Sequence, residues 1–271
     1  MAHISAENLT ASYGLSREPV LNIRSLTIEK GEIVVLYGRN HAGKSTLLRV
    51  LAGSRKGIHL GEASSVRYDD QTINDFGQKS ISYLPQNFSE TLFPWMSLKK
   101  NLRLRMLARD DSSDAIEAAV ANLCTSLGFS SEDDLYQFFG FVDRYGNRKK
   151  PKNLSGGQKQ TVALLRSLIP TPSILILDEP FSAIDFYKGP KLRQKLIELI
   201  YSTLTTTIIV SHSLEKAVDL ADRIIVVERS DNGTEVQNEY PVRDHKNRMP
   251  ISESQERKLM ETIRFENEIS E

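Results

Sequence analysis

The chain has 271 residues, 39% apolar and 26% charged, enough for one large soluble domain or two small ones. Its 35 Lys and Arg balance 35 Asp and Glu, which excludes a long-range basic field for nucleic acid and argues against adhesion to anionic lipid by charge alone. The single Cys124 excludes an internal disulfide and a Cys-only metal site, and no apolar run reaches the length of a bilayer span. The start Met1-Ala2-His3-Ile4-Ser5 lacks the plan of a secretory leader. A protein kept in the cytoplasm is expected, meeting a membrane only through a partner, with Cys124 a small buried hydrophobe.

Ile4, Leu9, Ala11 and Tyr13, then Val20, Leu21, Ile23, Leu26 and Ile28, predict short antiparallel strands. Tyr13 stands in a Ser-Tyr-Gly turn. On composition it is an ordinary strand-edge aromatic; its functional reading is a platform on which an adenine stacks. Glu29-Lys30-Gly31-Glu32 reads as a tight turn into a buried strand, Ile33-Val34-Val35-Leu36-Tyr37. Then comes Gly38-Arg39-Asn40-His41-Ala42-Gly43-Lys44-Ser45-Thr46, which fits G-x-x-x-x-G-K-[ST]. Leu47, Leu48, Val50 and Leu51 give the following helix an apolar face, and Gly53 stops it. Strand, glycine loop and helix aim backbone N–H groups and a helix N-terminus at one point, which suits a phosphate chain. Lys44 would reach the β/γ-phosphates and Ser45 would place its hydroxyl on Mg²⁺.

Residues 57–74 are polar and glycine-marked and predict a hairpin with Val66 and Tyr68 on a strand. Residues 80–86 predict a short strand, after which Gln86 offers a neutral oxygen to a metal or a water. Thr91-Leu92-Phe93-Pro94-Trp95-Met96-Ser97-Leu98 is unusually apolar and holds the only Trp. Trp95 is either core or an exposed anchor for a partner's pocket. From 99 to 139 the pattern is helical, through Leu102, Leu104, Met106, Leu107, Ile116, Ala119, Val120, Leu123 and Leu127, with Gly128 as a cap. Residues 144–152 are basic and read as a solvated loop.

Leu154-Ser155-Gly156-Gly157-Gln158 precedes an apolar helix through Val162 and Leu168, a second glycine turn that offers amides and a dipole to an anion. Ile174-Leu175-Ile176-Leu177-Asp178-Glu179 is a buried strand ending in two carboxylates. Ligands of open α/β sheets lie beyond the carboxyl ends of strands, so both acids are expected at the crevice of Lys44. Asp178 suits the Mg²⁺ shell; Glu179 suits a base that polarises the attacking water. Ser182-Ala183-Ile184-Asp185 reads as a loop, 192–200 as a helix, and Thr207-Ile208-Ile209-Val210 as a strand. His212 follows it and is read as a hydrogen-bonding sensor of the γ-phosphate. Residues 214–221 predict a helix and 224–227 a strand. Beyond Arg229 the chain turns polar, with a charged helix over 252–269.

This order of motifs resembles the ATP-binding cassette family over about residues 4–227, and the five-residue Leu-Ser-Gly-Gly-Gln motif is specific for it. The Phe-Pro-Trp segment, and Ser213-Leu214-Glu215-Lys216-Ala217 leading to Leu220-Ala221-Asp222-Arg223, look like importer cassettes for nitrate, sulfonate, taurine or pyrimidine precursors. The resemblance implies an α/β fold: a P-loop NTPase core of mainly parallel sheet flanked by helices, with an N-terminal antiparallel β subdomain and an inserted α-helical subdomain. It places a nucleotide-binding domain at 1–230, the helical insert at about 88–165, and a polar tail at 231–271. ATP and Mg²⁺ are the implied ligands. The nucleotide would be held by Tyr13, Gly38, Arg39, Asn40, His41, Ala42, Gly43, Lys44, Ser45 and Thr46, with Asp185, and by Ser155, Gly156, Gly157 and Gln158 of an opposed subunit. The metal set is Ser45, Gln86 and Asp178; the catalytic set is Glu179, His212 and Gln86.

The implied partners are a second cassette chain, read as an identical copy, transmembrane permease subunits docking near residues 93–101, and a solute-binding protein; nucleic acid is not expected. The implied activity is ATP hydrolysis driving solute import at the inner face of the cell membrane. The alternative is a soluble cassette ATPase in a non-transport assembly, which the absence of a coiled-coil insertion and of a second cassette weakens. Intact Glu179 and His212 count against a non-catalytic switch. Three departures from the family pattern stand out: His41 beside the phosphates, Thr161 where many relatives carry Arg, and Gly189-Pro190, expected to interrupt the helix after Asp185.

Overall fold

The structure is a computed structural model and describes residues 2–14, 18–72, 80–182, 189–244 and 251–269. Its strands are β1 (Ala2–Tyr13), β2 (Leu21–Glu29), β3 (Ile33–Tyr37), β4 (Ile58–Leu60), β5 (Ser65–Tyr68), β6 (Ile81–Leu84), β7 (Ile174–Asp178), β8 (Thr206–Ser211), β9 (Arg223–Ser230) and β10 (Gly233–Pro241). Its helices are α1 (Lys44–Leu51), α2 (Leu98–Leu102), α3 (Leu104–Leu107), α4 (Ser113–Ser126), α5 (Glu132–Phe138), α6 (Gly156–Ser167), α7 (Gly189–Thr203), α8 (Leu214–Leu220) and α9 (Glu253–Ile269). Two compact units divide them: 1–78 with 206–271, and 79–205. Among the described residues no helix is long and apolar enough to cross a membrane.

In the first unit the strands run in the order β4, β1, β2, β10, β9, β3, β8, with β5 also on β1. β3 pairs in parallel with β8 and with β9. Residues 33–36 are buried throughout, the unbroken apolar run of a strand covered on both faces. The start of β3 is locked by the residues that open β9. The Ile33 amide donates to Asp222 Oδ2 at 2.9 Å. Arg223 grips buried Glu32 through Nε at 2.7 Å and Nη2 at 2.9 Å. A two-pronged bond of this kind fixes direction as well as distance, so β3 delivers the loop that follows it to a set place. α1 then buries Leu47, Leu48, Val50 and Leu51.

Within the expected hairpin at 57–74, of which 57–72 are described, β4 and β5 do not pair with each other, and the antiparallel bridge there is the tight turn Tyr68 to Gln71. β4 pairs with residues 11–13 of β1, and β5 with residues 4–7 of the same strand. The twelve-residue β1 is long enough to seat both. Between them the backbone of Thr10 is met by the Gly61 amide at 3.0 Å and by Ser64 Oγ at 3.0 Å. The stretch 231–271, expected as a polar tail, begins with a strand of the sheet. β10 pairs antiparallel with β9 and meets β2 at Thr234 and Leu21. Its buried end is Gly233 and Thr234, and its exposed stretch is Gln237, Asn238 and Glu239, so composition alone hides it. The helix expected at 252–269 is α9, which packs on α8 with Ile263 fully buried.

In the second unit β6 and β7 pair in parallel, Leu84 beside Leu177. α7 begins at Gly189. Residues 183–188, on which the expected interruption by Gly189-Pro190 turns, lie outside the described residues. Two buried arginines bind the pieces through backbone oxygens. Arg166 on α6 donates to Thr91 O and Thr91 Oγ1, both at 2.6 Å. Arg105 donates to Ser167 O at 3.0 Å and Ile81 O at 3.3 Å. Burial, then the charges of Arg109 and Arg166, lower the pKa of Arg105 to about 10.

A third arginine, Arg103, is 4% exposed and forks onto Glu132 at 2.7 and 2.8 Å and onto Glu117 at 2.9 Å. Burial works against the charge of Glu132, but the Arg103 fork and the Tyr136 hydroxyl outweigh it, and its carboxyl titrates below its ordinary value. The stability this gives is present above the ordinary carboxylate range and is lost as the pH falls through the lowered value. Arg103→Leu strands Glu132 and is expected to cost on the order of 3 kcal/mol, read as a lower urea midpoint at neutral pH. The variant should also lose less than the native chain on acidification.

Candidate functional site

The glycine loop is shaped from behind by strands that leave no room for side chains. A Cβ on Gly38 would stand 2.2 Å from Val227 O, and one on Gly43 would stand 2.0 Å from Thr234 Oγ1. Gly43 also has φ 75°, a left-handed value, as it caps α1, which glycine meets without steric cost. His41 takes the same region, φ 65°, with an exposed side chain. Lys44, 6% exposed, donates through Nζ to Gly38 O at 2.7 Å and to Arg39 O at 2.6 Å. The ammonium thus closes the loop on itself. Arg39 and Asn40 are exposed, Ala42 is buried and Ser45 is half-buried. The first-turn amides of α1 have no acceptor inside the helix and carry its positive dipole end.

Two further predicted residues join this loop within the first unit. Tyr13 is 37% exposed and its hydroxyl lies 3.0 Å from Thr46 Oγ1. The ring is therefore tied to α1 and still offers a surface. Tyr37 pairs with Ser211 across β3 and β8. Exposed His212 thus leaves β8 level with Gly38, at the carboxyl ends of neighbouring strands.

The second unit gathers the other set. Leu84 and Leu177 are partners across β6 and β7, so Gln86 and the pair Asp178-Glu179 emerge at one end of that ribbon. Asp178 is buried and Gln86 exposed. Glu179 has φ 51°, an uncommon conformation for a residue with a side chain. Its carbonyl accepts from Gln160 Nε2 at 3.0 Å, and Gln160 also reaches Ser182 Oγ at 3.1 Å. Gln160 rides on α6, so the helix that follows the second glycine turn also holds the carboxylate turn in place. Sequence reasoning gave Gln160 no role; its buried place on an otherwise apolar helix face was the signal.

Ser155 caps α6. Its Oγ accepts from the Gln158 amide at 3.2 Å, and Gln158 Oε1 accepts from the Ser155 amide at 3.0 Å. Gln158 Nε2 donates to Gly140 O at 2.8 Å. The Gln158 side chain, expected among the ligand-binding groups, is engaged at both ends and shapes the turn. What the exposed turn presents are the Ser155 hydroxyl region and the amides of Gly156 and Gly157, in a first turn without internal acceptors. Thr161, buried, returns its hydroxyl to Gly157 O at 2.9 Å and so steadies this turn without a charge. Asp185 lies outside the described residues.

The donors suit a nucleotide and a hard cation. Ser45 in one unit, and Asp178 with Gln86 in the other, offer oxygens of the kind Mg²⁺ takes. No group of three or more His, Cys, Asp or Glu gathers among the described residues; a cation held largely by phosphates and water requires none.

Trp95 is 77% exposed, edge-on to Phe93 at 5.1 Å between centroids, which removes it from the core. Asn101, fully buried, holds the turn that displays it. Its side chain accepts from the Phe93 amide at 2.9 Å and donates to Phe93 O at 3.0 Å and Ser97 O at 3.1 Å.

The sequence profile described as ABC transporter matches residues 21–182. The chain is 34% identical over 230 residues to the sulfate/thiosulfate import ATP-binding protein CysA of Bacillus cereus, covering 83% of this chain and 58% of that protein. It is 31% identical over 229 residues to the sn-glycerol-3-phosphate import ATP-binding protein UgpC 3 of Agrobacterium fabrum, covering 84% and 59%. The chain thus spans under two thirds of the length of these relatives. Among solved structures it is similar to the dimeric ATP-binding cassette MJ0796 in a post-hydrolysis state bound to ADP and Pi, with TM-score 0.69, 25% identity, and 89% and 99% of the two chains covered. The fold is that of a P-loop NTPase, mixed α/β. Lys44→Met removes the ammonium from the loop and is expected to weaken binding of a fluorescent ATP analogue at least about tenfold, the scale of a lost charge-assisted bond; unchanged affinity would detach the loop from phosphate binding.

Proposed function

Given that this chain belongs to the ABC transporter family, we propose that it is the ATP-hydrolysing subunit of a transporter that imports a small solute. The observation that carries this reading is the pair of helix starts built for phosphate. One is α1 with the Lys44 closure; the other is α6 with its capping box. Two copies placed head to tail would give each nucleotide one start from either chain. The dimeric state named for the related cassette supports that arrangement.

The roles follow from the chemistry of each group. The loop at 38–46 holds the phosphate chain, and Tyr13 stacks on the adenine. Ser155, Gly156 and Gly157 meet the γ-phosphate of the nucleotide on the other copy. Ser45 would offer its hydroxyl to Mg²⁺, and Asp178 and Gln86 carry the other oxygens such a cation would take; bound Mg²⁺ would neutralise phosphate charge. Glu179 accepts a proton from the attacking water, in a turn that Gln160 keeps fixed. His212 donates a hydrogen bond toward the γ-phosphate. Contacts made only in the closed pair shift the population toward closure, and hydrolysis removes them.

The partners are a second copy of this chain, membrane permease subunits and a solute-binding protein, with the pair working at the cytoplasmic face. Import is supported by the names of the two relatives. Trp95, held out on the Asn101-braced turn, is the anchor for a permease segment, in keeping with the place of Trp at binding hot spots.

Glu179→Gln is expected to retain ATP binding and to lower phosphate release at least about a hundredfold. Turnover at the native rate would remove Glu179 as the base. Trp95→Ala should leave the melting temperature of the isolated chain in place and weaken co-purification with the permease by about 2 kcal/mol or more. Undiminished association would move the docking site elsewhere.

A further inference from the structure

We propose that Thr234, at the buried start of β10, is a positioning residue that aims the phosphate loop. The inference rests on the phosphate-binding reading of residues 38–46. Thr234 is 0% exposed. Its hydroxyl lies 2.9 Å from Ala42 O, in the loop, and 2.7 Å from Val20 O, just ahead of β2. Its amide also donates to Val20 O, at 2.9 Å. A hydroxyl carries one proton, so the two carbonyls share it and the loop is tied to the root of the antiparallel sheet.

The tie has a directional consequence. In a planar trans peptide the carbonyl and the next N–H point opposite ways. Holding Ala42 O on Thr234 therefore turns the Gly43 N–H away from β10, toward the open side of the loop. Little slack exists for any other orientation, since a Cβ on Gly43 would stand 2.0 Å from Thr234 Oγ1. One turn further on, the Tyr13 hydroxyl meets Thr46 Oγ1 at 3.0 Å. The two hydroxyl bridges flank Gly43 and Lys44, and both lead back to strands of the same sheet. The aromatic platform and the phosphate loop are thereby held at one spacing.

The test uses the full chain as Thr234→Val, which keeps the shape and loses the hydroxyl, and as Thr234→Ser, which keeps the hydroxyl. ATP and ADP affinities are measured by equilibrium titration, and amide exchange across 38–46 without nucleotide. The Val variant should bind both nucleotides about five- to twentyfold more weakly, the scale of one buried hydrogen bond, with faster exchange confined to the loop. The Ser variant should return both to within about twofold of the native chain. Native affinity in the Val variant, a Ser variant no better than Val, or exchange raised evenly through β10 and β9 would overturn the proposal. If the Val variant does not fold, the contrast of Ser with Ala decides in the same way. If the native chain binds no ATP, the phosphate reading itself fails, and the exchange data alone decide whether Thr234 holds the loop.

Discussion

The loop at 38–46 depends on one constraint, the absence of space behind it. At Gly38 and at Gly43 the backbone runs against Val227 O and Thr234 Oγ1 at distances that forbid a side chain. A loop pressed so closely cannot relax backward, and its carbonyls must be met where they stand. Lys44 meets those of Gly38 and Arg39, and Thr234 meets that of Ala42. With these oxygens drawn inward, the amide groups of the first turn of α1 are left to face outward beside the exposed side chains of Arg39, Asn40 and His41. A buried carbonyl without a donor costs about as much as the bond it lacks, so each of these side chains contributes to both folding and function.

The same logic governs the second unit in different materials. Gln160 holds the carbonyl of Glu179, Asn101 holds the turn of Trp95, and Arg166 holds Thr91. In each case a buried polar side chain bonds to the backbone of another segment. Such bonds fix position without adding charge to the surface, and they leave half-buried Glu179, exposed Trp95 and the 155–157 turn on short rigid supports. Arg103 is the exception, matched by carboxylates of α4 and α5, and it gives the helical region a pH-dependent share of its stability.

The motif residues of the site were legible in the chain. The loop, the strand before it and the helix after it lie where pattern and spacing place them, because a glycine loop between a buried strand and an amphipathic helix has few alternative structures. The strand of Asp178, the capped turn of Ser155 and the strand before His212 are local in the same sense. The supports were not legible. Thr234 lies in a polar stretch read as tail, and nothing near it in sequence announces that it faces Ala42, 192 residues away. The shared edge of β1, which seats both β4 and β5, was hidden for the same reason.

What the sequence determined by itself is which groups stand at the strand ends and helix starts, since those placements are written in residue type and short spacing. What only the tertiary structure decided is the direction in which those groups point. Direction is set by long-range hydrogen bonds from β10, α6 and β9, and a bond between distant segments leaves no periodic trace in either one.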